Sequence, residues 1–435
     1  MIMEKLVVNG GKPVFNGEWP KWPFIAKEAY DYIRRVLESP CWTISGPIQR
    51  TEPFERLFAK EFAKYCGAKY CIPTCNGSSA LLIALEALNI GYGDEIIVPA
   101  LTWIAVPTAV MSLNAKPIFV DIDPETLQMS IKAVESAINS KTRAIIIVHH
   151  YCGLAHLDEL LKIAREHDLV VIEDCSHVHG AKWRNKTVGT FGDVGVFSMQ
   201  QTKVLTCGEG GAVITNNDII ARKLEHLRAN GRMYHDRPKF PGDIHLIETG
   251  EIHGTNYCLS EIHAVILYAN LKYLDHQHEI RERNARILES MLKEIDGVML
   301  IRVYPQVTKR VIYKFVFRVD PEKFENRKIE EICMALSFEL SLPVTPLYKP
   351  INKNPLYKPE TKKRFRINEE YLDELLKWKN HEFKGAEMAY NTSISLPHYS
   401  LLGSEKHLLA IVKAVKKVQK LAHTIPELEE LLDKR

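Results

Sequence analysis

Nowhere among the nine cysteines of this 435-residue chain is there a CxxC pair, and the odd count argues against a complete disulfide framework. In a chain long enough to bury a large core, scattered cysteines are small buried hydrophobes of a reducing compartment, which points to the cytoplasm. No apolar stretch approaches the roughly 20 residues needed to cross a bilayer. The opening residues, MIMEKLVVNGGKPVF, place Glu4 ahead of a three-residue apolar run, so no secretory signal is expected. Charge of one sign is missing too. A net charge of +3, from 57 Lys and Arg against 54 Asp and Glu, leaves no basic surface for nucleic acid. No internal repeat, low-complexity tract, Walker motif or strand-borne GxGxxG occurs. What remains is ordinary globular composition, 46% hydrophobic and 26% charged, at a length that implies a large domain with a smaller one.

Residues 1–50 form an irregular N-terminal arm rich in tryptophan and proline, WPKWPF then CWTISGP. It either packs onto the body or lines a pocket mouth or subunit interface. From residue 53 a helix is expected, and an alternating pattern follows. Short apolar strands at 70–72, 95–99, 117–121, 143–148, 170–173, 194–197 and 212–215 are separated by helical stretches such as 80–88 and 103–113. This rhythm predicts an α/β fold with a mainly parallel, doubly wound sheet, occupying residues 51–294. A long polar loop, 229–257, and a helix or helix pair, 259–292, complete it. Residues 295–435 then read as a smaller α+β domain, with VIYKFVFRV (311–319) as an antiparallel strand.

Candidate chemistry falls at the carboxyl ends of these strands, where doubly wound sheets bind ligands. Asn76-Gly77-Ser78-Ser79 opens a helix and can bind phosphate or serve only as its own cap. Trp103 is either core or a stacking platform. Asp174 ends the buried strand VVIED, where a carboxylate needs a cationic partner. Lys203 sits in FSMQQTKVLTCGEGG, between two apolar strands. Alone that window is equally a hairpin with a solvated lysine or a Schiff-base site. EDCSHVHG, with His177 and His179, lacks a trustworthy metal spacing. Together, a phosphate cup, an aromatic, an acid and a lysine in this order are what pyridoxal 5'-phosphate requires of a protein.

With these residues in view, the chain resembles the fold-type I aminotransferases of the DegT–DnrJ–StrS family, from NGGKPVF to SISLPHYSLLG. GYGDEIIVPALTWIA, VVIEDCSHVHGA, GDVGVFSMQQTKVLTCGEGGAV and GTNYCLSEIHA carry the likeness. The resemblance implies that Lys203 forms the Schiff base and Asp174 pairs with the pyridine nitrogen. It implies His177 at the phenolic oxygen, Trp103 on the ring, and Ser78, Ser79 and Ser198 at the phosphate. Asn256 matches an asparagine that reaches the phosphate from a second subunit, which implies a homodimer. Many relatives carry FSFHPTK and NYRM. Here Met199, Gln200 and Gln201 replace FHP, and Cys258 replaces the arginine. That departure implies an aminotransferase taking nitrogen from L-glutamine or L-glutamate to a keto-cyclitol such as scyllo-inosose, the alternative being a nucleotide-linked keto sugar. Dehydratases of the family have histidine for Lys203, and a non-catalytic regulator would need a basic DNA-binding stretch. Arg228, Arg232, Tyr234 and Arg237 are candidates for the donor carboxylate, and His235, His245 and His253 for shaping the acceptor site.

Overall fold

The computed structural model describes residues 4–237, 240 and 242–432. Seven of the short apolar segments become strands: β1 (Tyr70–Thr74), β2 (Glu95–Pro99), β3 (Lys116–Val120), β4 (Thr142–Val148), β5 (Val170–Asp174), β6 (Val194–Ser198) and β7 (Gly211–Thr215). They form one sheet in the order β1-β7-β6-β5-β4-β2-β3. Pairings from β6 through to β3 are all parallel, whereas β7 runs antiparallel to both β1 and β6. Six strands therefore share a direction and one opposes them.

Burial on both faces explains why these strands are apolar without alternation. Ile146 and Val148 of β4 pack into a cluster with Ala80, Leu81 and Leu85. Ile145 and Ile147 pack into a second cluster, with Phe58, Phe62 and Leu160. Each fully buried isoleucine contributes about 2 kcal/mol of transfer free energy.

The expected long helix is a pair, Glu261–Leu271 and Leu274–Leu292. Beyond it, Val298–Leu300, Lys314–Val319 and Ser393–Pro397 make a three-stranded antiparallel sheet; Ile329–Leu340 packs on it, and Glu405–Lys420 packs on that helix. The strand expected over 311–319 starts only at Lys314, and both its faces are largely buried. The polar loop 229–257 contains a hairpin, Arg232–Tyr234 against Leu246–Glu248. The N-terminal arm packs first on the end of helix Ile329–Leu340, with Trp19 Nε1 donating to the Leu340 carbonyl at 2.7 Å. Trp22 Nε1 then donates to the Gln201 carbonyl at 2.9 Å, two residues from Lys203.

Candidate active site

Since six strands point one way, their carboxyl ends share an edge, and β7 begins there. A cavity of about 500 Å³ opens at that edge. Residues just past β1, β2, β4, β5 and β6 line it, and Tyr313 and Tyr348 close it from the C-terminal part of the chain.

Helix Gly77–Ala87 starts at the cavity wall. Asn76 caps it: its Oδ1 accepts the Ser79 N–H at 2.8 Å, and Ser79 Oγ accepts the Asn76 N–H at 3.3 Å. This capping box leaves the Gly77 and Ser78 N–H groups without a partner among the described residues. Gly77 can be nothing larger, since a Cβ would lie 2.6 Å from Ser198 Cβ. Gly211 is constrained likewise: a Cβ would meet the Asn76 carbonyl at 2.4 Å. Gly211 thus lets β7 pass beneath the start of the helix.

Lys203 lies on the connection between β6 and β7, so the stretch is indeed a hairpin, but its lysine is not solvated. Only 8% of Lys203 is exposed. Burial pushes its amine down to about 8; Asp174 opposes that shift and Lys314 adds to it. The ammonium nitrogen sits 4.4 Å from the Tyr313 ring centre. The turn is held from afar, by Trp22, by His398 Nε2 on the Thr202 carbonyl at 3.2 Å, and by the Tyr313–Thr202 hydroxyl contact at 2.9 Å.

At the end of β5 two adjacent carboxylates have different fates. Glu173 points into the core, where its oxygens accept N–H groups from Gly189, Phe191 and Gly192. Asp174 lines the cavity and accepts the Ser176 N–H at 3.0 Å. His149, Glu173 and Cys175 bring ligand-type atoms within 4.8 Å of one another. Glu173, however, is already taken by those three amides, and His149 Nδ1 accepts the Ala155 N–H at 3.2 Å. His177 is sandwiched between Tyr313, at 4.0 Å between centroids, and His150, at 5.2 Å. Burial first, then the Lys203 charge, keep its basicity far below normal, so the ring is neutral. Its Nδ1 accepts the Tyr151 N–H at 3.1 Å, which puts the proton on Nε2 and leaves that N–H for a ligand.

Of the residues singled out in the sequence, Ser78, Trp103, Asp174, His177, Ser198 and Lys203 line this one cavity. Trp103 stands half exposed at its mouth, 5.3 Å from the Tyr348 ring. Ser79 does not line it; its hydroxyl is spent on the cap. Asn256 is exposed and outside the cavity, with Oδ1 accepting the Cys258 N–H. Of the four positions that depart from the family pattern, Met199, Gln200, Gln201 and Cys258, only Gln200 reaches the cavity. Met199 is fully buried, and Gln201 faces outward. The polar-loop candidates do not line the cavity either. Arg228 in particular is buried in ion pairs with Glu55 and Glu225. Thr102, His150, Tyr313 and Tyr348 were not singled out. The first two follow strands and were open to the strand-end rule, whereas the tyrosines come from the C-terminal part, where no pattern pointed inward.

The donor set answers each demand of pyridoxal phosphate. Free helix-start amides with two serines suit a dianion, a buried carboxylate suits a pyridinium, a neutral N–H suits a phenolate, and a depressed amine suits an aldehyde. Fold and site together define the class: a pyridoxal-phosphate-dependent aminotransferase. Residues 23–416 match the DegT/DnrJ/EryC1/StrS aminotransferase family, and the chain belongs to it. It is 43% identical over 413 residues to the L-glutamine:2-deoxy-scyllo-inosose aminotransferase of Streptoalloteichus tenebrarius, covering 95% of this chain and 97% of that one. It is 42% identical, over the same shares, to the L-glutamine:scyllo-inosose aminotransferase of Streptomyces griseus. The crystal structure of 3-amino-5-hydroxybenzoic acid synthase superposes with a TM-score of 0.77 at 27% identity, covering 92% of this chain and 98% of that one.

Proposed function

We propose that this enzyme moves an amino group from L-glutamine, or L-glutamate, to a keto-cyclitol such as scyllo-inosose. The observation that carries the reading is a buried lysine amine and a carboxylate in one cavity, in a chain more than 40% identical to proteins named for that reaction. Bound pyridoxal 5'-phosphate supplies an electron sink for the charge that develops when the α-proton leaves. Lys203 would anchor the cofactor's aldehyde, and its amine, when free, would be the base that takes the donor's α-proton and hands a proton back on the far side of the donor nitrogen, a 1,3-transfer. A basicity near 8 suits an amine that must do both. Asp174 holds the pyridine nitrogen in its protonated form, and His177 donates its Nε2–H to the phenolic oxygen. Trp103 offers its face to the ring. Ser78, Ser198 and the free amides hold the phosphate, while Ser79 acts through the cap.

Asn256 of a second copy adds a phosphate contact, which makes the working unit a homodimer. Residues 51–294 serve as the cofactor-binding domain, and 295–435 as the smaller domain that closes the site. Among the described residues no helix is long and apolar enough to cross a membrane, and all nine cysteines are free thiols; both support a cytoplasmic setting.

Titrating pyridoxal phosphate into the purified protein should raise the visible Schiff-base band, and Lys203→Ala should never show it. L-Glutamine should bleach the band, and scyllo-inosose or its 2-deoxy analogue should restore it. No band in the wild type would sink the cofactor assignment. Restoration by nucleotide-linked keto sugars alone would move the substrate to that class.

A further inference from the structure

His150 has no part in the chemistry above, yet few residues in the molecule are so conspicuously unsatisfied. It follows β4, lines the cavity, is 2% exposed, and neither ring nitrogen has a hydrogen-bond partner. Thr102, which follows the paired strand β2, is also 2% exposed and lines the same cavity with an unpartnered Oγ1. Buried polar groups are rarely left unmet, because desolvating them without a partner costs free energy. Two of them, just past adjacent strands and in the wall of one cavity, imply a polar ligand that meets both.

The chemistry of the pair narrows that ligand. His150 is held rigidly, stacked on His177 at 24° and edge-on to Tyr151 and Tyr348. Burial, helped by the Lys203 charge, pushes it down to about 3, so the ring stays neutral at any working pH. A neutral imidazole presents one N–H and one lone pair. A phosphate dianion wants donors only, and the free amides at Gly77 and Ser78 already supply them. A hydroxyl both donates and accepts, so it can meet either ring nitrogen and either role of the Thr102 hydroxyl.

We propose that His150 and Thr102 bind ring hydroxyls of the polyhydroxy ketone acceptor, making His150 a specificity-determining residue of the second half-reaction. This rests on the acceptor class given under Proposed function. His150→Phe keeps an aromatic ring between His177 and Tyr348 while removing both nitrogens. In that variant kcat/KM for scyllo-inosose should fall about 10- to 100-fold, mainly through KM. Conversion by L-glutamine and the affinity for pyridoxal phosphate should stay within about twofold of wild type. Calorimetric binding of myo-inositol, which has no ketone to react, should weaken in parallel. Thr102→Val should lose acceptor efficiency in the same direction, and His150→Gln should recover part of it. Unchanged acceptor kinetics in His150→Phe would overturn the assignment, as would equal losses with glutamine or with the cofactor. A wild type that is bleached by glutamine but restored by neither cyclitol would instead overturn the acceptor class itself, and this assignment with it.

Discussion

Lys203 is the residue whose environment is most readily turned into a measurement. Only a neutral amine attacks an aldehyde, so addition of pyridoxal phosphate to the cofactor-free protein should accelerate with pH and level off above a midpoint near 8. Lys314, whose Nζ donates to Thr345 Oγ1 at 3.0 Å, is one of the charges that press this midpoint down. Lys314→Met should therefore raise it, and stopped-flow absorbance across pH reads the shift; an unmoved midpoint would remove Lys314 from the account. Linkage gives a matching sign. Because folding depresses the lysine below its ordinary 10.5, its cost to stability is complete below pH 8 and fades as pH rises toward 10.5. At this scale much was legible, since Lys203 and Asp174 stand at ends of apolar strands, where a polar residue needs a reason. Met199 was not legible. Its place in the motif suggested substrate contact, but strand geometry turned its side chain into the core. Nor was Glu173, whose three amide partners come from a loop well along the chain.

Among elements, the junction of helix Gly77–Ala87 with β6 and β7 decides the phosphate end of the cavity. Gly77→Ala puts a methyl 2.6 Å from Ser198 Cβ, so the helix start or Ser198 must move. Pyridoxal phosphate affinity should drop at least about tenfold, as expected when binding groups are displaced by a fraction of an ångström. Asn76→Ala removes the cap without adding bulk. It should cost about 1 kcal/mol of stability in denaturant titrations, with a smaller loss of affinity. An order of affinities opposite to this would mean that the cap, not the close approach, shapes the site. Sequence periodicity located these elements but blurred their ends. The helix expected over 80–88 begins at Gly77, because the cap supplies what propensity lacks. The one expected over 103–113 spans Ala105–Ser112. The reversed direction of β7 was hidden, since a doubly buried strand reads alike in either sense.

For the molecule as a whole, the proposed sharing of active sites between two copies would leave a statistical signature. Lys203→Ala and Asn256→Ala, mixed in equal amounts and allowed to exchange subunits, should regain up to about a quarter of wild-type activity, because half the dimers are mixed and each carries one intact site. A mixture no better than its parts would place every cofactor contact within a single chain. The change near residue 295 from parallel to antiparallel strands was visible in the pattern, but the course of the N-terminal arm was not. Its contacts with Leu340 and Gln201 join segments 321 and 179 residues apart, and no local pattern encodes them. Distance along the chain also sets a timetable. β1 has a single neighbour, β7, with Tyr70 opposite Thr215 and Thr74 opposite Gly211. The ribosome must make residues 75–210 before that strand finds its partner, on the order of ten seconds at ordinary synthesis rates. Throughout that wait an apolar edge is open to other nascent chains, and the seat for the phosphate has no floor. The seat for the phosphate is therefore complete only once Gly211 of β7 has passed beneath the start of helix Gly77–Ala87.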